Sequence, residues 1–124
     1  MLNQKERYQF LLSSPPPSVN VTRRADPVGK KLLSRWLNGS GWEMKIYDIR
    51  PLTSKYYGVS ITFNPRKVEL DLDNGIKAVI DLLHVMHMTP DDRELVALFV
   101  TFSSKIEGAV RVKYWGQEKG RADL

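Results

Sequence analysis

The chain contains no cysteine, so disulfide bonds and thiolate chemistry are both excluded. It also lacks the run of about 18 apolar residues that a membrane-spanning helix needs, and its first residues carry no charged-then-apolar signal pattern. Neither a glycine-rich phosphate loop nor a G-x-S-x-G nucleophile elbow is present. We therefore expect a soluble, cytoplasmic protein that has no membrane partner and no small-molecule cofactor.

A length of 124 residues predicts a single domain over residues 1–124. The polar or charged ends, residues 1–7 and 116–124, are expected to be flexible. The hydrophobic patterns between them indicate both strands and helices, so we predict a small α+β fold with a mixed sheet of four or five strands and two main helices. Because so small a domain has little core, association into a homodimer would stabilise it.

Period-two alternation and short apolar runs predict the strands. The clearest alternation, from Tyr57 to Phe63, is typical of a half-buried strand. Further strands are predicted at Tyr8–Leu12, at Met44–Ile49, at Leu95–Phe102 as an internal strand, and at Val110–Trp115. The last of these alternates an apolar face with a face of Arg111, Lys113 and Trp115, which is a candidate phosphate-contact surface.

Helical spacing of apolar residues predicts two helices. The first, Asp26–Asn38, begins with a capping aspartate and a proline at the first helical position. Asn38-Gly39 predicts its end in a left-handed cap. The second helix, from about residue 74 to 85, is apolar on nearly all sides. Either burial in the core alone or contact with a second copy of the chain explains that pattern.

The net charge of +5 is unevenly distributed. Residues 1–67 carry 12 basic and 4 acidic side chains, whereas residues 68–124 carry 7 basic and 10 acidic side chains. A basic surface beside an acidic, metal-binding centre is what a nuclease requires, because cations hold the phosphates that are cut at the metal. A solvated basic face is the alternative interpretation of the same charges.

The segment before the second helix combines acidic residues with a lysine. Val68 to Asp73 alternate apolar and acidic side chains, which predicts a strand with Glu69, Asp71 and Asp73 on one face. Neighbouring carboxylates repel one another unless a cation lies between them, and a hard divalent ion such as Mg²⁺ prefers carboxylates and water. Lys77, one helical turn further on, would stabilise charge that develops on a phosphate.

Some of these side chains are also suited to structural roles. Asp73 can cap the helix that follows, although a cap and a metal ligand can use different oxygens of one carboxylate. An EF-hand is excluded, because Asn74 and Ile80 stand where glycine and an acidic residue are needed. His84 and His87 lie three residues apart but lack partner ligands for zinc, so we interpret them as core-edge or interface residues.

The pattern D-L-D-N-x-x-K at 71–77, followed after one helix by the pair Asp91-Asp92, resembles the signature of the RusA-type Holliday junction resolvases. The proline-rich loop after the first strand and the terminal strands also fit that family. The resemblance implies that Asp71, Asp73 and Asp92 bind Mg²⁺, for which Mn²⁺ can substitute, and that Lys77 is catalytic. It also implies an endonuclease of DNA recombination and repair, a homodimer that resolves four-way DNA junctions by paired symmetric cuts.

The phosphates of DNA require a basic surface. Its candidate residues lie after the prolines, on the first helix, before the acidic turn and on the last strand: Arg23, Arg24, Lys30, Lys31, Arg66, Lys67, Arg111 and Lys113. The family often has an arginine run before the first aspartate, where this chain has only Arg66, Lys67 and then Glu69. Two further functions therefore stay open: a branched-DNA-binding protein that cuts weakly or not at all, and a nuclease for flaps or splayed duplexes.

The position of Asp92 poses a geometric question. A helix from about residue 74 to 85 advances ~18 Å, so Asp92 begins at the far end of the helix from Asp71 and Asp73. An extended segment at Thr89-Pro90 can return the chain over that distance. Alternatively, Asp92 completes the site of a partner subunit.

Overall fold

Strands and helices follow one another along the chain much as the hydrophobic patterns indicate. The computed structural model describes residues 6–17, 27–68 and 72–118. Its elements are β1 (Arg7–Leu12), α1 (Pro27–Met44), β2 (Tyr56–Phe63), α2 (Leu72–Val85), a 3₁₀ helix (Asp92–Glu94), β3 (Leu95–Phe102) and β4 (Val110–Gln117). This small α+β domain, with four strands in one mixed sheet and two α-helices, confirms the predicted fold class.

The strand order in the sheet is β1-β4-β2-β3. β4 lies antiparallel to both β1 and β2, whereas β2 and β3 are parallel and are connected through α2. Parallel neighbours need a crossover of this kind, usually a helix. The helix that carries the predicted catalytic residues Asp73 and Lys77 is therefore part of the crossover between two adjacent strands.

Side-chain alternation gives the sheet two unlike faces. The face against which both helices pack, here called the covered face, is an apolar core whose sheet residues are at most 1% exposed: Phe10, Leu12, Tyr57, Val59, Ile61, Phe63, Val110, Val112 and Tyr114. The helices contribute Trp36, Met44, Ala78, Val79, Leu82 and Leu83 to the same core. Full burial of one such large side chain stabilises the fold by about 1.5–3 kcal/mol.

The opposite face, here called the open face, is built from the alternate residues of the strands. Strand pairing places them in three cross-strand rows: Arg7, Trp115, Gly58 and Ala97; Gln9, Lys113, Ser60 and Phe99; Leu11, Arg111, Thr62 and Thr101. The alternation of Val110–Trp115 is confirmed, because the apolar residues of β4 are buried while Arg111, Lys113 and Trp115 are partly exposed.

The predicted end of the first helix at Asn38-Gly39 is wrong, because α1 continues to Met44. Gly41 lies so close to the residues after α2 that a Cβ placed there would be 2.9 Å from the Met86 sulfur. Burial of the last turn of α1 against the core offsets the low helix propensity of its glycines. Tertiary packing therefore overrides the local stop signal.

The strand predicted over Met44–Ile49 is also wrong. Its first residue ends α1, and the amides of Lys45 and Tyr47 then donate to the carbonyls of Trp42 and Met44 at 3.1 Å each. These hydrogen bonds span three residues and continue the helix into a turn. No extended backbone is left at residues 44–47 for a strand.

The apolar face predicted for α1 is only partly directed at the core. Leu33 and Leu37 pack against the core, but Val28 is 63% exposed and Leu32 is 39% exposed.

Neither α1 nor α2 is both long and apolar enough to cross a membrane.

The apolar run Leu95–Phe102 is an edge strand, so its prediction as an internal strand is wrong. Among the described strands, β3 pairs with β2 alone. Leu98, Phe99 and Phe102 are 41%, 58% and 57% exposed. A continuous apolar run reports that both sides of a strand are apolar, but it does not report how many neighbours the strand has.

Two strands extend by a few residues into the ends that were expected to be flexible. β1 begins at Arg7 and β4 reaches Gln117, so these parts of the expected flexible ends 1–7 and 116–124 form strand. The Glu6 carboxylate accepts hydrogen bonds of 2.8–3.2 Å from the backbone and hydroxyl groups of Thr53 and Ser54. Burial raises the pKa of Glu6, but these hydrogen bonds together bring the pKa below its usual value.

The acidic segment before α2 differs from the prediction. Val68 is not in a strand, and Asp73 lies in the first turn of α2, which begins at Leu72; residues 69–71 lie outside the described ranges. The predicted strand over 68–73 is therefore wrong wherever the chain is described. The helix over 74–85 is confirmed, although Val85 is 51% exposed, so within one chain α2 is not buried on all sides.

Candidate functional site

Asp73 and Lys77 lie on the first two turns of α2, and both side chains are exposed. Residues four apart on a helix share one face, so the carboxylate and the ammonium group project from the same side. An acidic residue in the first turn is also favourable there, because the free amides carry partial positive charge. Asp71, the first predicted metal ligand, lies outside the described residues.

Lys77 has an ionic partner that the sequence analysis missed. Its Nζ lies 4.0 Å from Asp81 Oδ2, and the side chains of Lys77 and Asp81 are 71% and 39% exposed. An exposed pair at this helical spacing contributes about 0.3–0.5 kcal/mol to stability. The contact therefore does more to orient the lysine along the helix than to stabilise the fold. The sequence did contain a signal for this ion pair, because a lysine and an aspartate four residues apart on one helix lie on the same face.

The charges around Asp81 connect α2 to the second acidic segment. Burial raises the pKa of the Asp81 carboxyl, the Lys77 ammonium lowers it, and the negative charge of Asp92 raises it again. The net effect is a pKa above the usual value. Asp92 therefore lies within electrostatic range of α2 in its own chain.

The end of α2 explains how the chain turns back after the helix, so that Asp92 comes near α2 again. His87 has a left-handed backbone with φ of 62°, the Met88 amide donates to the Leu83 carbonyl at 2.9 Å, and the His87 amide donates to the His84 carbonyl at 3.0 Å. This pair of bonds is the Schellman motif, which ends a helix and reverses the chain. The Leu52 amide donates a hydrogen bond of 2.9 Å to the Met88 carbonyl and so fixes the residue after the turn. His87 thus has a structural role as the helix-ending residue.

The two aspartates after α2 have different environments. The Asp91 carboxylate accepts the Arg93 amide at 3.0 Å and lies 3.4 Å from the Arg93 guanidinium. The hydrogen bond from the Arg93 amide is the main cause that lowers the pKa of Asp91. Asp92 is exposed at the first position of the 3₁₀ helix. Asp91 is therefore engaged in capping, which favours Asp92 as the residue available to a ligand.

A buried tyrosine lies beneath these acids. Tyr57 is fully buried. Its hydroxyl and that of Thr89 are out of hydrogen-bond geometry with every described residue. Burial raises the pKa of Tyr57, but the Thr89 hydroxyl is close enough to lower this pKa. The negative charges of Asp92, Asp91 and Glu94 raise it further. The start of β2 therefore lies in the negative potential of the 3₁₀ helix.

The chemistry of these side chains, but not their arrangement, suits a hard divalent cation. Carboxylate oxygens are the ligands that Mg²⁺ prefers, and the charge of Asp92 disfavours ionisation of Asp81, as expected where a cation would be favourable. Within residues 6–17, 27–68 and 72–118, no three acidic or histidine side chains lie close enough to hold a metal. A complete site as predicted would add Asp71, which is outside these ranges.

The predicted DNA contacts are spread over separate surfaces. Lys30 and Lys31 are exposed on α1, which packs on the covered face. Arg66 and Lys67 are exposed in the turn after β2. The Arg66 amide donates to the Asn64 side chain at 2.9 Å, and Asn64 in turn donates to the Gly108 carbonyl at 3.2 Å. This turn is therefore fixed to the loop before β4. Arg23 and Arg24 lie outside the described residues.

Arg111 and Lys113 lie together on the open face of β4. The Arg111 guanidinium is 3.5 Å from the Thr62 hydroxyl, which lies 2.9 Å from the hydroxyl of Thr101. Arg7, which the sequence analysis did not select, lies on the same face beside Trp115. No motif indicated it, because the strand pairing of β1 with β4 is what brings it there.

A groove of about 490 Å³ lies away from the acidic residues, between the end of β1 and α1. Pro15, Pro17, Leu32 and Trp36 line it, and no residue of α2 does. The Trp36 indole donates to the Ser14 carbonyl at 3.1 Å, so the start of the proline-rich loop is held against α1. Its lining also includes Arg35 and Glu43, but the Glu43 carboxylate accepts hydrogen bonds from the Ser13 amide and hydroxyl and so holds the end of β1.

Comparison of the chain with protein-family models and with curated proteins gives no match. The likeness to the RusA-type resolvases therefore depends on the sequence pattern alone, namely the D-L-D-N-x-x-K motif, the later acidic pair, the proline-rich loop and the terminal strands. Of the four predicted catalytic residues, the structure describes Asp73, Lys77 and Asp92. Lys77 forms an ion pair with Asp81, and the negative charge of Asp92 acts on the same carboxylate.

Proposed function

We propose that this chain is a divalent-metal-dependent endonuclease that cuts branched DNA as a cytoplasmic homodimer, with four-way junctions as its substrate. The proposal rests on the motif resemblance and on one structural observation. Lys77 and Asp81 form an ion pair on the exposed side of α2, and Asp92 returns to within electrostatic range of the same helix. A cation and several carboxylates are thus grouped along one crossover helix.

In this proposal Asp71, Asp73 and Asp92 hold Mg²⁺, and Mn²⁺ can substitute for it. When bound, the metal supplies an activated water and stabilises the leaving oxygen of the phosphodiester. Lys77 neutralises charge on the phosphate in the transition state. Asp81 orients Lys77, because its carboxylate lies 4.0 Å from the ammonium nitrogen.

A two-fold homodimer suits a four-way junction, because paired symmetric cuts require two related active sites. The return of Asp92 to its own α2 favours a site formed within one chain. Mixed dimers of Asp71→Asn and Asp92→Asn subunits test this point. A site within one chain leaves both sites of the mixed dimer inactive, whereas restored cleavage of one strand would assign Asp92 to the partner's site.

A second candidate function is branched-DNA binding with little or no cleavage. The open face favours it, because Arg7, Arg111 and Lys113 provide cations that need no metal to hold phosphate. Incubation of wild-type protein with a synthetic four-way junction, with and without Mg²⁺, separates the two functions. We expect paired nicks only when metal is added.

Substrate choice is tested in the same assay. A flap and a splayed duplex of equal length are compared with the four-way junction at the same salt concentration, because phosphate contacts make affinity strongly salt-dependent. We expect the junction to be cut fastest.

Lys77→Met should lower turnover more than binding, since the ammonium charge matters most in the transition state. Binding without cleavage of any substrate would reject the nuclease proposal and leave the DNA-binding one.

A further inference from the structure

The open face carries positive charge without compensating negative charge. Its three cross-strand rows contain Arg7, Arg111 and Lys113 and no aspartate or glutamate. Glu6 precedes β1 in the sequence and the acids of the 3₁₀ helix precede β3, so none of them belongs to these rows. A surface of this kind is complementary to a polyanion.

Two aromatic side chains, Trp115 and Phe99, lie together on the same face and are here called the platform. The Trp115 indole lies directly over Gly58, where an added Cβ would be 2.4 Å from the indole ring. Phe99 stacks beside it, with ring centroids 6.2 Å apart and planes inclined by 29°. The indole nitrogen donates to Gln117 Oε1 at 3.1 Å, which fixes the ring. Glycine at position 58 is what allows the indole to lie flat on the sheet.

The cations border this platform. Lys113 lies in the same cross-strand row as Phe99, and Arg7 lies in the row of Trp115. The Nε of Arg111 is buried and has no hydrogen-bond partner among the described residues. Phe99 is 58% exposed although it is apolar. An exposed aromatic platform beside cationic groups combines the two features by which proteins hold single-stranded nucleic acid.

We propose that the open face binds a single-stranded segment of DNA, with one base stacked on the platform of Phe99 and Trp115 and with phosphates held by Arg7, Arg111 and Lys113. The choice of DNA rests on the proposed function. Stacking needs the face of a base, which an intact duplex conceals between neighbouring base pairs. Unpaired nucleotides near the centre of an opened junction expose it.

A second copy of the chain is a poorer occupant of this face. In a two-fold interface the same surface meets itself, so the cations Arg7, Arg111 and Lys113 of one copy would meet a face that carries the same cations and no acid in its cross-strand rows. Like charges across an interface oppose association. The charge of the face therefore favours a phosphate-bearing partner over self-association.

Two phenylalanines on β3 give a matched test. Phe99 and Phe102 are 58% and 57% exposed on the same edge strand, but Phe99 stacks with Trp115 on the open face whereas Phe102 packs with Phe63 on the covered face. Binding of a fluorescently labelled oligothymidine of about 12 nucleotides is measured by anisotropy in EDTA, so that no strand is cut. We expect Phe99→Ala to weaken binding about tenfold, in the range of one base–aromatic stack, and Phe102→Ala to change it less than about twofold.

An abasic strand of the same length separates stacking from charge. Wild-type protein should bind it about tenfold more weakly than oligothymidine, while in Phe99→Ala this difference should shrink to about threefold or less, because only Trp115 is left to stack on a base. Equal loss in both phenylalanine variants, or no loss in either, would overturn the inference. So would a Phe99→Ala variant whose only change is its oligomeric state by sedimentation, since the face would then contact a second copy.

The same measurements keep this inference separate from the nuclease proposal. Selective loss of strand binding in Phe99→Ala supports the platform even if the wild-type protein never cuts a junction. If Phe99→Ala binds the single strand with the affinity of the wild type and cleaves junctions normally, the platform is rejected and the nuclease proposal stays intact.

Discussion

The acidic region around α2 and the open face of the sheet differ in how the fold assembles them. The acidic residues are carried by one helix and the turn that follows it, so they are close in sequence and exposed at helix ends. The residues of the open face come from four strands and meet only through strand pairing. The first region is suited to groups that adjust around a ligand, and the second offers a rigid surface on which a ligand lies.

This contrast gives the two regions separable roles in our proposal. Substitutions around α2 should change the rate of cleavage and leave DNA binding intact. Substitutions on the open face should change binding and its salt dependence. The following predictions test that division, and the largest effect is expected at Asp92.

Asp92→Asn keeps the shape of the side chain but removes its charge. We expect junction cleavage to fall by orders of magnitude, because the metal-activated water is lost, while junction binding in EDTA stays unchanged or becomes tighter. Gel assays of both quantities check this. Asp91→Asn is the matched control: its carboxylate caps the 3₁₀ helix, and asparagine is also a good cap, so cleavage should be nearly normal. Wild-type cleavage by Asp92→Asn would remove the proposed catalytic assignment.

Leu82→Glu tests how far α2 depends on the covered face. Leu82 is fully buried, and an unpaired buried charge costs about 3–5 kcal/mol, so we expect the variant to be largely unfolded by circular dichroism. Val85→Glu on the same helix should fold normally, because Val85 is 51% exposed. If Val85→Glu folds but shifts a wild-type dimer to monomer in light scattering, the dimer interface includes the end of α2.

Arg111 and Lys113 test the binding role of the open face. Their joint replacement by alanine should reduce the slope of log affinity against log salt by about 0.7–0.9 for each phosphate that the protein no longer neutralises. Joint replacement of Lys30 and Lys31 is the control, because these lysines are exposed on a helix that packs on the other side of the sheet. A change of slope only in the control pair would move the DNA surface to α1.

The smallest effect is expected from the charge of Asp81. Burial, together with the charge of Asp92, outweighs the Lys77 ammonium and holds the pKa of Asp81 above its usual value, so the folded state binds the proton more tightly than the unfolded state does. The ionised carboxylate therefore lowers stability, and this loss develops as the pH rises from the unfolded pKa through the folded one. Asp81→Asn should melt slightly above the wild type at about pH 7, and the difference should shrink as the pH approaches 4. A lower melting temperature for Asp81→Asn at neutral pH would contradict this expectation.

The same contrast explains what the sequence predicted. The helix that ends at Val85, the strand from Tyr57 and the alternation of Val110–Trp115 were predicted correctly, because a local period determines each of them. The resemblance also selected Asp92 over Asp91 as a metal ligand, which stays a prediction.

The errors have a common physical cause. α1 passes Asn38-Gly39 because its last turn packs beside Met86, and β3 is an edge strand because β4 occupies the other side of β2. Both outcomes are decided by residues distant in sequence. The platform of Phe99 and Trp115 is invisible in the sequence for this reason, since it depends on Gly58 in a third strand.

The position of β3 has a consequence for the behaviour of the protein in concentrated solution. Its outer backbone groups have no partner strand in the described chain, and its sequence, LVALFVTF, contains no charge, proline or glycine. Natural edge strands commonly carry such residues, which hinder pairing with other molecules, and segments without them can stack into cross-β fibrils. Prolonged storage at high concentration should therefore promote aggregation that begins at β3, and a lysine at Leu98, which is 41% exposed, should suppress it.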